Sequence, residues 1–150
     1  MIKKLLAAIF TLSFLLATSA SAAEHGSAAE AKAMVQKTIA TMKKNGVEAT
    51  VADINKRDGQ YIDRNLYVVV YDLSGKNLAH MNPKMAGKDM LELKDVDGKY
   101  FIKERVEIAR KQGSGWQEYK FVNPLSKQIE PKSMYIEKYA DVIVGCGIYK

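Results

Sequence analysis

The sequence has a single cysteine, Cys146, among its 150 residues. No disulfide can form within the chain, so the fold has to rest on a packed core. Cys146 sits in an apolar, strand-like run and reads as a small buried hydrophobe. Histidine is almost as scarce, with His25 and His80 alone. A metal site built on His80 would need carboxylate partners that the sequence does not place, so no metal is expected. The G-x-S-x-G elbow, the Walker phosphate loop, H-E-x-x-H and C-x-x-C are all missing, and nothing calls for a cofactor. Charge of one sign is thinly spread. The net charge is +6, but Lys43-Lys44, Lys56-Arg57, Lys103 to Lys111 and Lys132 lie far apart. Without a dense basic cluster, nucleic acid is excluded as a partner. No apolar run approaches the roughly 20 residues of a membrane-spanning helix, so stable membrane insertion is not expected.

The longest apolar run is Leu5 to Ala17, 13 residues. It follows Lys3-Lys4 and precedes the small-residue pattern Ala20-Ser21-Ala22. That order predicts a cleavable export signal over residues 1–22 and a single domain over 23–150, periplasmic or secreted. No cysteine lies near the cleavage site to carry a lipid. Lys3 and Lys4 supply two of the six net charges, which leaves +4 on the exported part.

Ser27-Ala28-Ala29-Glu30 is a capping-box pattern, and Ala31, Val35, Ile39 and Met42 follow at helical spacing. Asn45-Gly46 is a stop. A short helix carrying Val47, Val51 and Ile54 comes next. Leu66 to Tyr71 is a β-branched and aromatic strand, and Asp72 to Lys76 loops back into Asn77 to Met81. Asn82 to Tyr100 is a long connection, the kind of segment that often carries a binding site. Phe101 to Lys111 reads as a helix with Ile102, Val106 and Ala109 on one stripe. Strands follow at Trp116–Val122, Lys132–Tyr139 and Val142–Tyr149. The order predicts an α+β domain, with about five antiparallel strands and helices packed on one face.

Two short motifs read as turns. Asp95-Val96-Asp97-Gly98 lacks the ligand spacing of a calcium loop, and Gly113-Ser114-Gly115 leads from helix to strand, the reverse of a phosphate cradle. The informative residues are polar and aromatic together: Tyr71, His80, Trp116, Tyr119, Lys132 and Tyr135. Lys132 and Tyr135 are three apart in one strand and point to opposite faces unless a bulge intervenes. Gly145 and Gly147 share a face, where missing side chains leave room for a ligand or a close backbone. A pocket with one cation, one imidazole and several hydroxyls suits a small carboxylate. An ordinary imidazole pKa near 6.5 would let His80 change charge between about pH 8 and 6.

The segments Ala79-His80-Met81-Asn82-Pro83, Gly87-Lys88-Asp89-Met90, Lys94 to Lys99, Gly113 to Tyr119, Asn123-Pro124, Pro131 to Tyr135 and Gly145 to Tyr149 follow one another as in single Cache domains. The chain resembles that family from about Met34 to Lys150. The resemblance implies an extracytoplasmic sensor with a long N-terminal helix against a PAS-like antiparallel sheet. A small-molecule pocket would lie between the sheet and the long loop. Ligands of such domains are often short organic acids such as acetate, propionate, pyruvate or lactate. His80, Trp116, Tyr119, Lys132 and Tyr135 match residues expected in or near that pocket. Many Cache domains precede a membrane helix and a kinase or chemotaxis module. This chain stops at Lys150, so the expected partner is a separate membrane sensor kinase or chemoreceptor. Two other readings stay open: a small exported enzyme with His80 as general base, and a protein-binding adaptor with a vestigial pocket.

Overall fold

The computed structural model describes residues 25–150. The export segment expected at residues 1–22 lies outside the described residues. Helix α1 spans Ala28–Asn45. At its start the Ser27 hydroxyl accepts the Glu30 N–H at 3.3 Å, and the Glu30 carboxylate accepts the Ser27 N–H at 2.7 Å. This reciprocal pair satisfies two backbone donors that a helix start leaves free. Glu30 also takes Arg64 at 2.7 Å, which ties the helix start to the first strands. Ala31, Val35, Thr38, Ile39 and Met42 form the buried stripe. At Gly46 the chain adopts a φ of +89°, and its N–H closes on the Met42 carbonyl at 2.9 Å. Helix α2, Val47–Ile54, starts directly afterwards.

One antiparallel sheet follows, built from β1 (Ile62–Asp63), β2 (Leu66–Asp72), β3 (Asn77–Ala79), β4 (Ser114–Val122), β5 (Ile129–Tyr139) and β6 (Val142–Tyr149). The strands run in the order β1-β2-β6-β5-β4, with β3 also pairing β2. The sequence points to about five strands; the sixth is the two-residue β1, too short to leave an alternating pattern. In β2, Leu66 to Tyr71 are buried on both faces, so the strand reads as a continuous apolar run.

The two faces of the sheet carry different cores. Val68, Val70, Tyr135, Val142, Val144 and Cys146 pack against α1 and α2. Tyr67, Val69, Tyr71, Tyr119, Met134, Ile143 and Tyr149 pack against helix α3, Phe101–Gln112, and the connection before it. Helices therefore cover both faces rather than one. Periodicity reveals which side of α3 is buried, but not which side of the sheet receives it. Cys146 is buried beside Met34, Sγ to Sδ 3.7 Å, and burial pushes its thiol up to about 12.

The long connection is pinned to the β2–β3 turn. Asn77 N–H donates to the Lys88 carbonyl at 2.8 Å, and Met90 N–H donates to the Gly75 carbonyl at 3.1 Å. Further along, Asp95 forms a turn by accepting the N–H groups of Asp97 and Lys99, both at 3.0 Å. Its second oxygen accepts the Lys120 N–H at 3.1 Å. That bond occupies one donor on the outer edge of β4, which ends the sheet.

Candidate functional site

Lys132 stands on β5 opposite Tyr119 of β4 and is fully buried. Its ammonium donates to the Tyr67 hydroxyl at 2.8 Å and the Tyr149 hydroxyl at 3.1 Å. The Tyr149 hydroxyl in turn donates a hydrogen bond to the Val122 carbonyl at 2.7 Å. The Lys132 nitrogen also lies 4.0 Å from the centre of the Tyr67 ring and 4.6 Å from that of Tyr149. Gly147 makes this placement feasible: a Cβ there would come within 2.5 Å of Lys132 Cε and 3.0 Å of the Ser133 carbonyl. Among the described residues no carboxylate pairs with this amine. Burial, reinforced by the Arg105 charge, lowers its pKa from 10.5 to about 7. Burial likewise raises Tyr67 well above its ordinary value, so its phenol stays neutral.

Arg105 is the second buried cation, on the inner stripe of α3 and 1% exposed. Its Nε donates to Gln117 Oε1 at 3.1 Å. Gln117 is itself anchored by donating to the Phe101 carbonyl and the Glu104 carboxylate, both at 2.6 Å. The guanidinium lies 4.9 Å from the Tyr71 ring centre and 5.2 Å from that of Tyr119, while Phe101 and Tyr119 stack at 4.6 Å. Its Nη2 is buried without a hydrogen-bond partner. Leaving a buried donor of a permanent cation unmade is expensive.

His80 follows β3 and is held from several sides. Asn55 Nδ2 donates to the Leu78 carbonyl at 2.8 Å, Asn55 Oδ1 accepts the His80 N–H at 3.4 Å, and Arg57 Nε donates to the Met81 carbonyl at 3.1 Å. The Asn82 N–H donates to His80 Nδ1 at 2.9 Å, which puts the ring proton on Nε2. Burial first, then the charges of Lys132, Arg105 and Arg57, push the imidazole pKa down to about 3. The charge change expected of His80 between pH 8 and 6 is therefore displaced. Lys132 is the group of this cluster that titrates near neutrality.

Tyr71, His80, Tyr119 and Lys132, four of the six residues singled out in the sequence, share one side of the sheet. Trp116 and Tyr135 do not join them. These two are cross-strand partners with ring centres 5.4 Å apart. Tyr135 packs into the core under α1, with Lys32 5.3 Å above its ring, and Trp116 is 41% exposed. Both are an odd number of positions from Tyr119 and Lys132, and the pleat sends them to the other face. Tyr67, Arg105, Gln117 and Tyr149 complete the cluster without having been singled out. Tyr67 and Tyr149 looked like ordinary strand aromatics. Arg105 lay next to the apolar stripe of its helix, which was the signal available for it.

A cavity of about 560 Å³ adjoins this cluster. Tyr67 and His80 line it, and Phe121 links its wall to the Lys132 nitrogen, 5.8 Å from that ring's centre. Neither cation lines the cavity itself.

The sequence profile described as Single Cache domain 2 matches residues 4–150. The methyl-accepting chemotaxis protein McpP of Pseudomonas putida is 31% identical over 90 residues, covering 58% of this chain and 16% of that protein. The chain thus spans about one sixth of the length of that relative. A methyl-accepting chemotaxis protein from Vibrio parahaemolyticus superposes with a TM-score of 0.69 at 24% identity, over 81% of this chain and 86% of the other. A periplasmic sensor domain of a chemotaxis protein gives 0.64 at 27% identity, over 81% and 88%. A Cache chemosensory domain described for carboxylic acid recognition gives 0.64 at 24% identity, over 81% and 86%. Among the described residues no helix is long and apolar enough to cross a membrane. With its α+β architecture and a profile match over nearly its whole length, this chain belongs to the Single Cache domain 2 family of extracytoplasmic sensor domains.

Proposed function

We propose that this domain is an exported receptor for a small organic carboxylate, acting through a separate membrane sensor kinase or chemoreceptor. The observation that carries the reading is a charge imbalance. Lys132 and Arg105 are both buried, no carboxylate among the described residues pairs with either, and Arg105 Nη2 has no partner. Buried charges are ordinarily paired. An incoming carboxylate would supply the missing countercharge, and in a low-dielectric interior such contacts are strong. His80 Nε2–H and the hydroxyls of Tyr71 and Tyr119 add neutral donors. The similarity to a Cache domain described for carboxylic acid recognition agrees with this assignment.

The enzyme reading is weaker. A histidine whose pKa lies near 3 is a poor proton acceptor at neutral pH, and His80 Nδ1 is already occupied by Asn82. A thermal-shift screen of residues 23–150 tests the receptor reading. Organic acids are expected to raise the melting temperature by several degrees at 100 times their dissociation constant, about 2.7 kcal/mol. Amines and neutral amides of the same size are expected to leave it unchanged. Stabilisation by amines instead of acids would reject the carboxylate.

A further inference from the structure

The cavity beside the buried cations differs from them in chemistry. Apart from His80 and Tyr67 at its inner end, its walls include the apolar side chains of Met81, Met85, Leu93, Phe121 and Val122. Its volume is about 560 Å³, within the range of roughly 300–1,000 Å³ that encloses drug-sized ligands. A two- or three-carbon acid held at the inner end would leave most of that space to water against hydrocarbon, which is unfavourable. Methionine is an adaptable wall material, since its unbranched chain repacks around differing shapes. Met81, Met85 and Leu93 are half-buried, while Lys94 and Lys127 at the cavity's margin are exposed, so the space is reachable from solvent.

We infer that the ligand is an amphipathic carboxylate. Its head lies at the inner wall formed by His80 and Tyr67, in front of Lys132, and its alkyl or aryl tail of about four or more carbons fills the Met81–Met85–Leu93–Phe121 cavity. The inference rests on the carboxylate reading above and adds the tail. The buried polar groups lie at the inner end only, while Asn82, Lys94 and Lys127 border the cavity where it opens to solvent. Lys132 touches the hydroxyl and ring of Tyr67, Tyr67 lines the inner end, and the apolar side chains lie beyond it.

Calorimetry on residues 23–150 with the sodium salts of acetate, propionate, butyrate, hexanoate and phenylacetate decides the matter, with hexanamide as the uncharged control. Affinity is expected to rise about fourfold per added methylene from propionate upward, and phenylacetate should bind at least as well as butyrate. Hexanamide should bind at least tenfold more weakly than hexanoate. Leu93→Trp and Met85→Trp, at half-buried positions where bulk can be added without rebuilding the sheet, should cut hexanoate affinity at least tenfold. Both should leave propionate affinity within threefold. Propionate binding as tightly as hexanoate, or hexanoate unaffected by both tryptophan variants, would overturn the tail while the carboxylate reading stands. Failure of every acid to bind would overturn the carboxylate reading itself.

Discussion

The stem of Lys132 occupies the space that a side chain at position 147 would fill: a Cβ on Gly147 would lie 2.5 Å from Lys132 Cε. The glycine and the buried cation are therefore a pair, and neither is explained without the other. Gly147→Ala should destabilise the domain by about 1–3 kcal/mol, the usual cost of overpacking. Part of that loss should return in the double variant Gly147→Ala/Lys132→Ala, where the lysine contact is gone and the 3.0 Å approach to the Ser133 carbonyl remains. Urea melts of the four proteins measure the coupling. Strict additivity would show that the two positions are independent.

Stability should depend on pH through Lys132. In the unfolded chain the amine holds its proton up to about pH 10.5, and in the folded domain only to about 7. Between these values the unfolded state binds one more proton, so stability rises with pH by up to about 1.4 kcal/mol per unit. The ligand-free domain should melt higher at pH 9 than at pH 7, and Lys132→Met should remove most of that slope. A slope unchanged in the variant would locate the proton elsewhere.

Ligand affinity should carry the same signature. A carboxylate prefers the protonated amine, so its affinity should increase as pH falls from about 8 to 6. His80, with its pKa pushed to about 3, stays neutral across that range. His80→Gln should therefore weaken binding modestly while keeping the profile, and Lys132→Met should flatten it. Flattening by the histidine variant alone would return the titration to His80.

Most of the fold was legible in the chain. The Ser27–Glu30 box, the stop at Gly46 and the strand-like runs of β2 to β6 are local signals, and local signals survive in sequence. The odd spacing of Lys132 and Tyr135 places them on opposite faces, yet their shared polar and aromatic chemistry and the family resemblance both group them in one pocket. Arg105 carries no sequence mark of a site residue, because a helical arginine is ordinarily solvated. Only the packing of α3 onto the Tyr71–Tyr119 side buries it. The pKa of His80 could not be read either, since it depends on burial and on three cations 23 to 52 positions away along the chain.

The most direct test of the account is carboxylate binding measured by calorimetry in the wild type and in Arg105→Met. Removing the guanidinium also removes a buried, incompletely paired charge, so the unliganded variant should stay folded. Arg105 does not line the cavity, so it acts on a bound carboxylate as a buried countercharge and not as a direct donor, and the account predicts a loss of about tenfold in affinity, with a cooperative melt retained. A folded Arg105→Met domain that binds organic acids as tightly as the wild type would contradict the central claim that the two buried cations await an anionic ligand.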